Sequence, residues 1–368
     1  MKELQEACLS DVLKAISLDD NDSEQYFIAS LVYGCMGDLD NALLYAFEAS
    51  KRSIFDSRPY HMTFLVFVAK NLIDEALRVL ADMEHEFPSD FSIILNKVEM
   101  DHYLYGPEVA LASIKTALET WYQLFNHTFS NLESQEGDDK TTNSLPGRSI
   151  IRTIFPRKDN PDTRSVFWLF NTSKTPKFQS QMTFSFFNDI KDSIILLALL
   201  LQKMAMIYLE LRSYESAKKC IDDIKSLGYV FPEVYLLDAM YHKGIGSVEK
   251  YEEYLETALY LNPNHVESLH QLVLFYLEQY DKFDDQKSKL MNLELAEETA
   301  RHLVKVSPKN FISWQVLGRV LHEMNVDIGE SLSCFSRALE LKDFVSIIPF
   351  KRIVRRLKPN DLNVKTVV

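Results

Sequence analysis

Small and apolar residues recur along this chain at helical spacing, and the small ones also recur at a longer fixed interval. Ala42, Ala76 and Ala110 follow one another in steps of 34 residues, and Ala49 and Ala117 lie in the same register further along their helices. Two helices that pack closely need a small residue where they cross. The pattern therefore predicts a series of antiparallel helix pairs, one pair for each period.

The same period resumes near Ala205 and Ala217, continues through the string ALYLNP, and ends in FISWQVLGRVLHEM and SLSCFSRALEL. A helical bundle can carry alanines at helical spacing by chance, but repeated steps of 34 residues favour the tetratricopeptide repeat. The predicted fold class is an all-α tetratricopeptide-repeat superhelical solenoid with a long loop insertion. The polar run 281–289 is interpreted as an extended loop between the two helices of one repeat.

The repeats predict five segments. Residues 1–20 are expected to be the second helix of a truncated repeat, because Cys8 and Ala15 lie one period before Ala42 and Ala49. A C-terminal fragment of a longer solenoid would begin in this way. Residues 21–126 are predicted to form three repeats, 127–192 a polar and basic insertion that is partly disordered, 193–340 four repeats, and 341–368 a C-terminal capping helix and tail.

Basic residues in the second half of the insertion reverse the sign of an otherwise acidic chain. The predicted docking loop consists of Arg148, Arg152, Arg157, Lys158, Arg164, Trp168, Lys174 and Lys177. Clustered cations beside aromatic side chains favour an acidic partner or an anionic membrane surface. The alternative is that Phe167, Trp168 and Phe170 pack the loop onto the repeats while the charges remain in water.

The formal net charge of -13 opposes general binding to nucleic acid. Four scattered cysteines without a C-x-x-C pair are typical of a reducing compartment, so we expect a cytoplasmic protein. The longest apolar run, residues 194–201, is much shorter than the roughly 20 residues of a spanning helix. Any association with a membrane is expected to be peripheral and indirect.

Motifs for catalysis, cofactor binding or metal binding do not occur: the chain has no H-E-x-x-H, G-x-S-x-G or G-x-x-x-x-G-K-[ST]. Gly244 and Gly246 are interpreted as a helix stop, and His265 and His270 as surface or packing residues. We therefore predict a protein that is not an enzyme and has no cofactor, no metal site and no catalytic residue.

The first helices of tetratricopeptide repeats line a concave surface that binds peptides or partner helices. The repeat register places a predicted binding groove at Phe27, Leu31, His61, Leu65, Val68, Leu95, Glu99, Leu236, Met240, Gln315 and Arg319. This set is mostly apolar with few cations. It disfavours a groove that clamps the C-terminal carboxylate of a peptide, which needs Lys and Arg.

Two blocks of sequence resemble the tetratricopeptide repeat protein 7 family, including its fungal Ypp-type cargo-transport members. One is ILNKVEMDHYLYGPEVALASIKTALETWYQLFN, and the other runs from WQVLGRVLHEM through CFSRALEL to SIIPFKRIVRRL. The resemblance implies a scaffold that helps bring the type III alpha phosphatidylinositol 4-kinase to the plasma membrane, together with a membrane-anchored helical-repeat protein. It also implies a role in phosphatidylinositol 4-phosphate synthesis and in endocytosis.

The alternative is a generic tetratricopeptide adaptor, such as a co-chaperone or a subunit of a degradation complex. A third class, a transferase built on helical repeats, would need a reactive site that the motifs do not supply. Capture of the lipid kinase separates the first interpretation from binding of chaperone tails.

Overall fold

The computed structural model describes residues 2–134 and 190–342, apart from positions 54, 89, 228–230, 326 and 327. Side chains are described over the same ranges except at 2–3, 123–134 and 190–193. In these ranges every regular element is an α-helix, and there are fifteen of them. The described residues fall into two compact units, 2–113 and 114–342.

The helices are connected by short segments except between α7 and α8. In chain order they are α1 Lys2–Leu18, α2 Ser23–Met36, α3 Leu39–Arg52, α4 Arg58–Ala69, α5 Ile73–Glu86, α6 Phe91–Tyr105, α7 Pro107–Ser134, α8 Ile190–Glu210, α9 Tyr214–Ser226, α10 Pro232–Gly244, α11 Val248–Leu261, α12 Val266–Lys282, α13 Gln286–Val306, α14 Phe311–Met324 and α15 Ile328–Lys342.

In the first unit, the turn between α2 and α3 shows why consecutive helices run antiparallel. Gly37 ends α2 with a φ of 88°, a left-handed conformation that glycine adopts without strain. The next residue, Asp38, caps α3 by accepting a hydrogen bond from the Asn41 amide at 3.2 Å. A helix stop followed at once by a helix start leaves only a tight reversal, so α2 packs along α3.

Small residues on α3 allow this close approach, as the sequence predicts. Ala42, Ala46 and Ala49 are fully buried in the core of the first unit. The Ser30 hydroxyl on α2 donates a hydrogen bond to the Ala42 carbonyl at 2.6 Å. A larger side chain at Ala42 would push α2 away and break this bond, because packed interiors have little free volume.

The second unit contains the pairs α8 with α9, α10 with α11, α12 with α13, and α14 with α15. The pair α14/α15 is joined by the Ser331 hydroxyl, which donates to the Gly318 carbonyl at 2.8 Å. At Gly318 an added Cβ would lie 3.1 Å from the Phe335 ring, so only glycine fits without displacement. Gly246, at a φ of 80°, follows the end of α10, which confirms the predicted helix stop.

The prediction of an extended loop over 281–289 is wrong. Helix α12 continues to Lys282, and α13 begins at Gln286, so most of the polar run is helical. Asp285 caps α13, and its carboxylate accepts hydrogen bonds from the amide and the hydroxyl of Ser288. The additional residues therefore lengthen a helix pair, and the polarity of the run reflects its exposure to water.

The all-α tetratricopeptide-repeat fold class is confirmed by the paired helices. Helix α7 runs on to Ser134 and α8 begins at Ile190, so the predicted insertion overlaps both helix ends. The rest of it, and most of the predicted capping helix and tail, lies outside the described residues. Helix α1 packs against α2, and its assignment to a truncated repeat stays a prediction.

Candidate functional site

The predicted groove residues differ widely in exposure, and this difference decides which of them can meet a partner. Two are exposed, namely Gln315 and Arg319. Five are partly buried: Leu31, Leu95, Glu99, Leu236 and Met240. The remaining four are buried: Phe27, His61, Leu65 and Val68. Because the structure contains no partner, the groove as a binding site stays a prediction.

The buried members hold the first unit together. Phe27, Leu65 and Val68 belong to its apolar core, and Leu65 is only 1% exposed. Their side chains contact neighbouring helices, so a partner would reach them only if the helices separated. The accessible part of the predicted groove therefore lies at its partly buried and exposed members.

In the second unit the groove residues come in pairs one helical turn apart. Leu236 and Met240 lie at i and i+4 on α10, and both are partly buried. Gln315 and Arg319 have the same spacing on α14 and are exposed. Residues at i and i+4 share one helix face, so each pair can contact the same partner helix.

A polar cluster around His61 joins α4 to the start of α6. The Ser57 hydroxyl donates to the Asp90 carboxylate at 2.6 Å, and His61 Nε2 lies 3.4 Å from the same oxygen. The Asn96 amide nitrogen is 3.0 Å from His61 Nδ1, which therefore accepts this bond. Burial disfavours the ionised form of Asp90, but the bonds from His61 and Ser57 outweigh it and lower the carboxyl pKa to about 2.

This trio of Ser, His and Asp does not have the geometry of a nucleophilic site. In a catalytic arrangement the serine hydroxyl donates to the imidazole, which then removes its proton. Here the Ser57 proton is directed to Asp90. Asp90 also caps α6 by accepting from the Ser92 amide at 2.8 Å. The cluster thus fixes the joint between two repeats.

A second polar cluster lies between α9 and α10. The Asp238 carboxylate is 0% exposed, and it contacts the ammonium groups of Lys218, at 3.1 Å, and Lys225. Lys225 also lies over the rings of Tyr235 and Tyr254, at 5.8 and 5.4 Å from their centroids. Asp238 occupies the repeat position that Leu317 fills in α14. The sequence signal for this cluster is a charged residue at a repeat position that is normally apolar, and the spacing of small residues alone does not predict it.

Cations at the joints between repeats are paired with carboxylates. Arg58 binds Glu24, Lys243 binds Glu278, and Arg301 binds Glu330. A clamp for a peptide carboxylate requires cations that are free to meet it. The pairing agrees with the mostly apolar character of the predicted groove.

Across the residues with described side chains, no three His, Cys, Asp or Glu groups are placed to hold a metal ion. Burial raises the pKa of the Cys220 thiol to about 12, so this thiol is a poor nucleophile. His265 caps α12 by accepting a hydrogen bond from the Ser268 amide, which agrees with a packing role.

Within the described part of the chain, no helix combines the length and apolar character needed to cross a membrane.

The predicted docking loop, from Arg148 to Lys177, lies outside the described residues. Both explanations of its basic and aromatic character therefore stay open.

The paired helices, their crossing alanines and their capped turns define a tetratricopeptide-repeat protein. Human tetratricopeptide repeat protein 7B is 25% identical over 364 residues, covering 96% of this chain and 41% of the relative. Human tetratricopeptide repeat protein 7A is 25% identical over 362 residues, covering 96% of this chain and 40% of the relative. The chain thus spans less than half the length of these relatives. No protein-family model matches it.

Among solved structures, the crystal structure of Ypp1 has the same fold, with a TM-score of 0.61 at 10% identity. The structural alignment covers 90% of this chain and 38% of the Ypp1 chain. The resemblance found in the sequence is confirmed: over most of its length the chain is similar to human tetratricopeptide repeat proteins 7A and 7B.

Proposed function

We propose that this chain is a non-catalytic scaffold that helps recruit a type III alpha phosphatidylinositol 4-kinase to the plasma membrane. Recruitment would proceed through a membrane-anchored helical-repeat partner, and it would support phosphatidylinositol 4-phosphate synthesis and endocytosis. The observation that carries the proposal is the homology to tetratricopeptide repeat protein 7 along 96% of the chain. The chain itself would be cytoplasmic and peripheral at the membrane.

Chemistry of the described residues supports binding over catalysis. The buried His61 and Asp238 clusters connect helices, and their polar groups face one another. In the second unit, the members of the predicted groove that remain accessible to another molecule are the partly buried side chains on α10 and the exposed ones on α14. A helical partner with an apolar stripe and a carboxylate would match Met240 and Arg319.

The test is co-purification of the lipid kinase with the tagged chain from cells, comparing surface variants. Met240→Glu and Arg319→Glu change accessible positions and should each reduce kinase recovery at least about fivefold, a cost of roughly 1 kcal/mol. Leu65→Glu is unsuitable, because a charge at a position only 1% exposed would unfold the first unit.

The matched control is Arg337→Glu, which makes the same charge change on α15, at a side chain 51% exposed. Kinase recovery should be unchanged in this variant. Recovery of chaperone C-terminal tails in place of the kinase would favour the generic adaptor and contradict the proposal. Kinase recovery that is equal in all four proteins would show that these faces of α10 and α14 are not the contact surface.

A further inference from the structure

Three carboxylates surround the end of one buried tyrosine side chain in the second unit. Tyr276 of α12 is only 9% exposed. Its pKa is raised, first by burial and then by the nearby charges of Glu252, Glu256 and Glu298. Helix α12 packs against α11, which carries Glu252 and Glu256, and against α13, which carries Glu298. The tyrosine hydroxyl therefore forms the floor of a site whose rim is acidic.

None of these polar groups has a partner of its own among the side chains that the structure describes. The Tyr276 hydroxyl makes no hydrogen bond, and its surroundings contribute only negative charge. Burial and the charge of Glu256 raise the pKa of Glu252, and no cation lowers it. Elsewhere in this unit, glutamates at the joints between repeats are paired, as Glu278 is with Lys243. Buried hydroxyls and clustered carboxylates without partners are costly to keep, so this site is poised to accept a cation.

The neighbouring repeats balance the two positions of the α11 glutamates with opposite charges. On α9, 34 residues earlier, these positions hold Lys218 and Asp222, whose ammonium and carboxylate groups are 3.0 Å apart. On α13 they lie 45 residues later, because the intervening helix pair is longer, and they hold Glu297 and Arg301, which are 2.8 Å apart. Of the three helices, α11 alone carries two like charges at i and i+4, an arrangement that repels.

The arrangement of the acceptors selects the kind of cation. Wherever side chains are described, no three His, Cys, Asp or Glu groups are placed to share a metal ion. A guanidinium group is larger and planar, and its fixed fork of N–H donors can reach several separated oxygens at once. A lysine ammonium is a compact point charge that reaches fewer of them. An arginine side chain therefore matches three spaced carboxylates and a hydroxyl best.

We propose that Tyr276, Glu252, Glu256 and Glu298 form a recognition site, the arginine site, for an arginine in a basic segment of a partner protein. The guanidinium of the partner supplies the charge that the neighbouring repeats supply themselves. Glu256 and Glu298 are exposed and meet the incoming side chain first, whereas Glu252 is partly buried and lies closer to the floor. The arginine site contains no member of the predicted groove, so it goes beyond the proposed scaffold surface.

Fluorescence anisotropy with the full chain and a labelled hexa-arginine peptide, at about 0.15 M salt, tests the arginine site. Replacing Glu252 and Glu256 together by Gln should weaken binding at least about tenfold, because two of the three charged acceptors are lost. Tyr276→Phe should weaken it about threefold, because only the hydroxyl is removed. A hexa-lysine peptide should bind the parent less tightly than hexa-arginine does.

The matched control is Asp82→Asn with Glu86→Gln, a pair of exposed carboxylates at the same spacing on α5. It makes the same change in net charge, so it measures the general attraction of a basic peptide to an acidic chain. Hexa-arginine affinity should be unchanged in this control. Thermal unfolding gives a second readout: the Glu252→Gln, Glu256→Gln variant should be at least as stable as the parent, because the repulsion on α11 is removed.

Equal hexa-arginine affinity in the parent and in the Glu252→Gln, Glu256→Gln variant would overturn the proposal. An equal loss of affinity in that variant and in the α5 control would also overturn it, since net charge alone would then attract the peptide. A clear loss of thermal stability in the α11 variant would show that the two carboxylates support the fold, against the proposal. Equal affinity for the two peptides would contradict the choice of arginine.

Discussion

The buried Asp238 carboxylate between α9 and α10 predicts an asymmetry in stability. Removing the lysines that contact it should lower the unfolding free energy much more than removing the carboxylate itself. Asp238 is 0% exposed, whereas the side chains of Lys218 and Lys225 are 32% and 35% exposed. Changing both lysines to Met leaves an ionised carboxylate in the interior without its cations. Such a loss costs about 3–5 kcal/mol of unfolding free energy.

The reverse change should cost little. In Asp238→Leu the lysine ammonium groups lose one partner but are already in contact with water, and Leu is the residue found at the same repeat position in α14. We expect the unfolding free energy to change by within about 1 kcal/mol. Removing one lysine, in Lys225→Met, should cost an intermediate amount, about 1.5–3 kcal/mol, because Lys218 remains.

Urea unfolding of the four proteins, followed by circular dichroism at constant pH and salt, measures these differences. The expected order of stability is parent and Asp238→Leu, then Lys225→Met, then the double lysine variant. An Asp238→Leu protein less stable than the double lysine variant would contradict this order, since it would mean that the ion cluster is strongly stabilising as a whole.

Three further predictions concern other sites. The Asp90 pKa is lowered from 3.8 to about 2, so its stabilisation is present above pH 4 and lost as pH falls towards 2; urea unfolding should show a loss of about 2 kcal/mol that Asp90→Asn lacks. Gly318→Val would press on the Phe335 ring, which lies 3.1 Å from an added Cβ, and should lower thermal stability by about 1–3 kcal/mol. Arg301→Gln removes the ion pair with Glu330. Because the Arg301 side chain is 42% exposed, the unfolding free energy should change by at most about 1 kcal/mol, and by less in high salt.

Much of the fold could be predicted from sequence because close helix crossings demand small residues at fixed positions. Ala42, Ala76 and Ala110 are fully buried, as their 34-residue spacing predicts. The helix stop at Gly246 was also predictable, because its backbone conformation favours glycine. These features depend on local geometry, which a single sequence encodes directly.

The error at 281–289 has a different origin. Polar composition indicates exposure to water, and an exposed helix and an exposed loop have similar composition. The cap at Asp285, with its bond to Ser288, decided in favour of the helix. A capping residue three positions before a serine was visible in the sequence, but only the hydrogen bonds distinguish it from other polar pairs.

The exposure of the predicted groove residues was harder to predict from sequence, because it depends on how neighbouring helices pack. His61 and Leu65 fit the register of a first helix, yet they are buried by contacts made far along the chain. Gln315 and Arg319 have the same register and are exposed. Periodicity thus identifies the helix face, and tertiary packing decides which of its residues a partner can reach.

Size-exclusion chromatography of the purified chain with a purified type III alpha phosphatidylinositol 4-kinase tests the scaffold function most directly. We expect the two proteins to elute together at micromolar concentration, and we expect Arg319→Glu to weaken this complex while Arg337→Glu does not. Separate elution of kinase and chain, with and without the membrane-anchored helical-repeat partner, would contradict it.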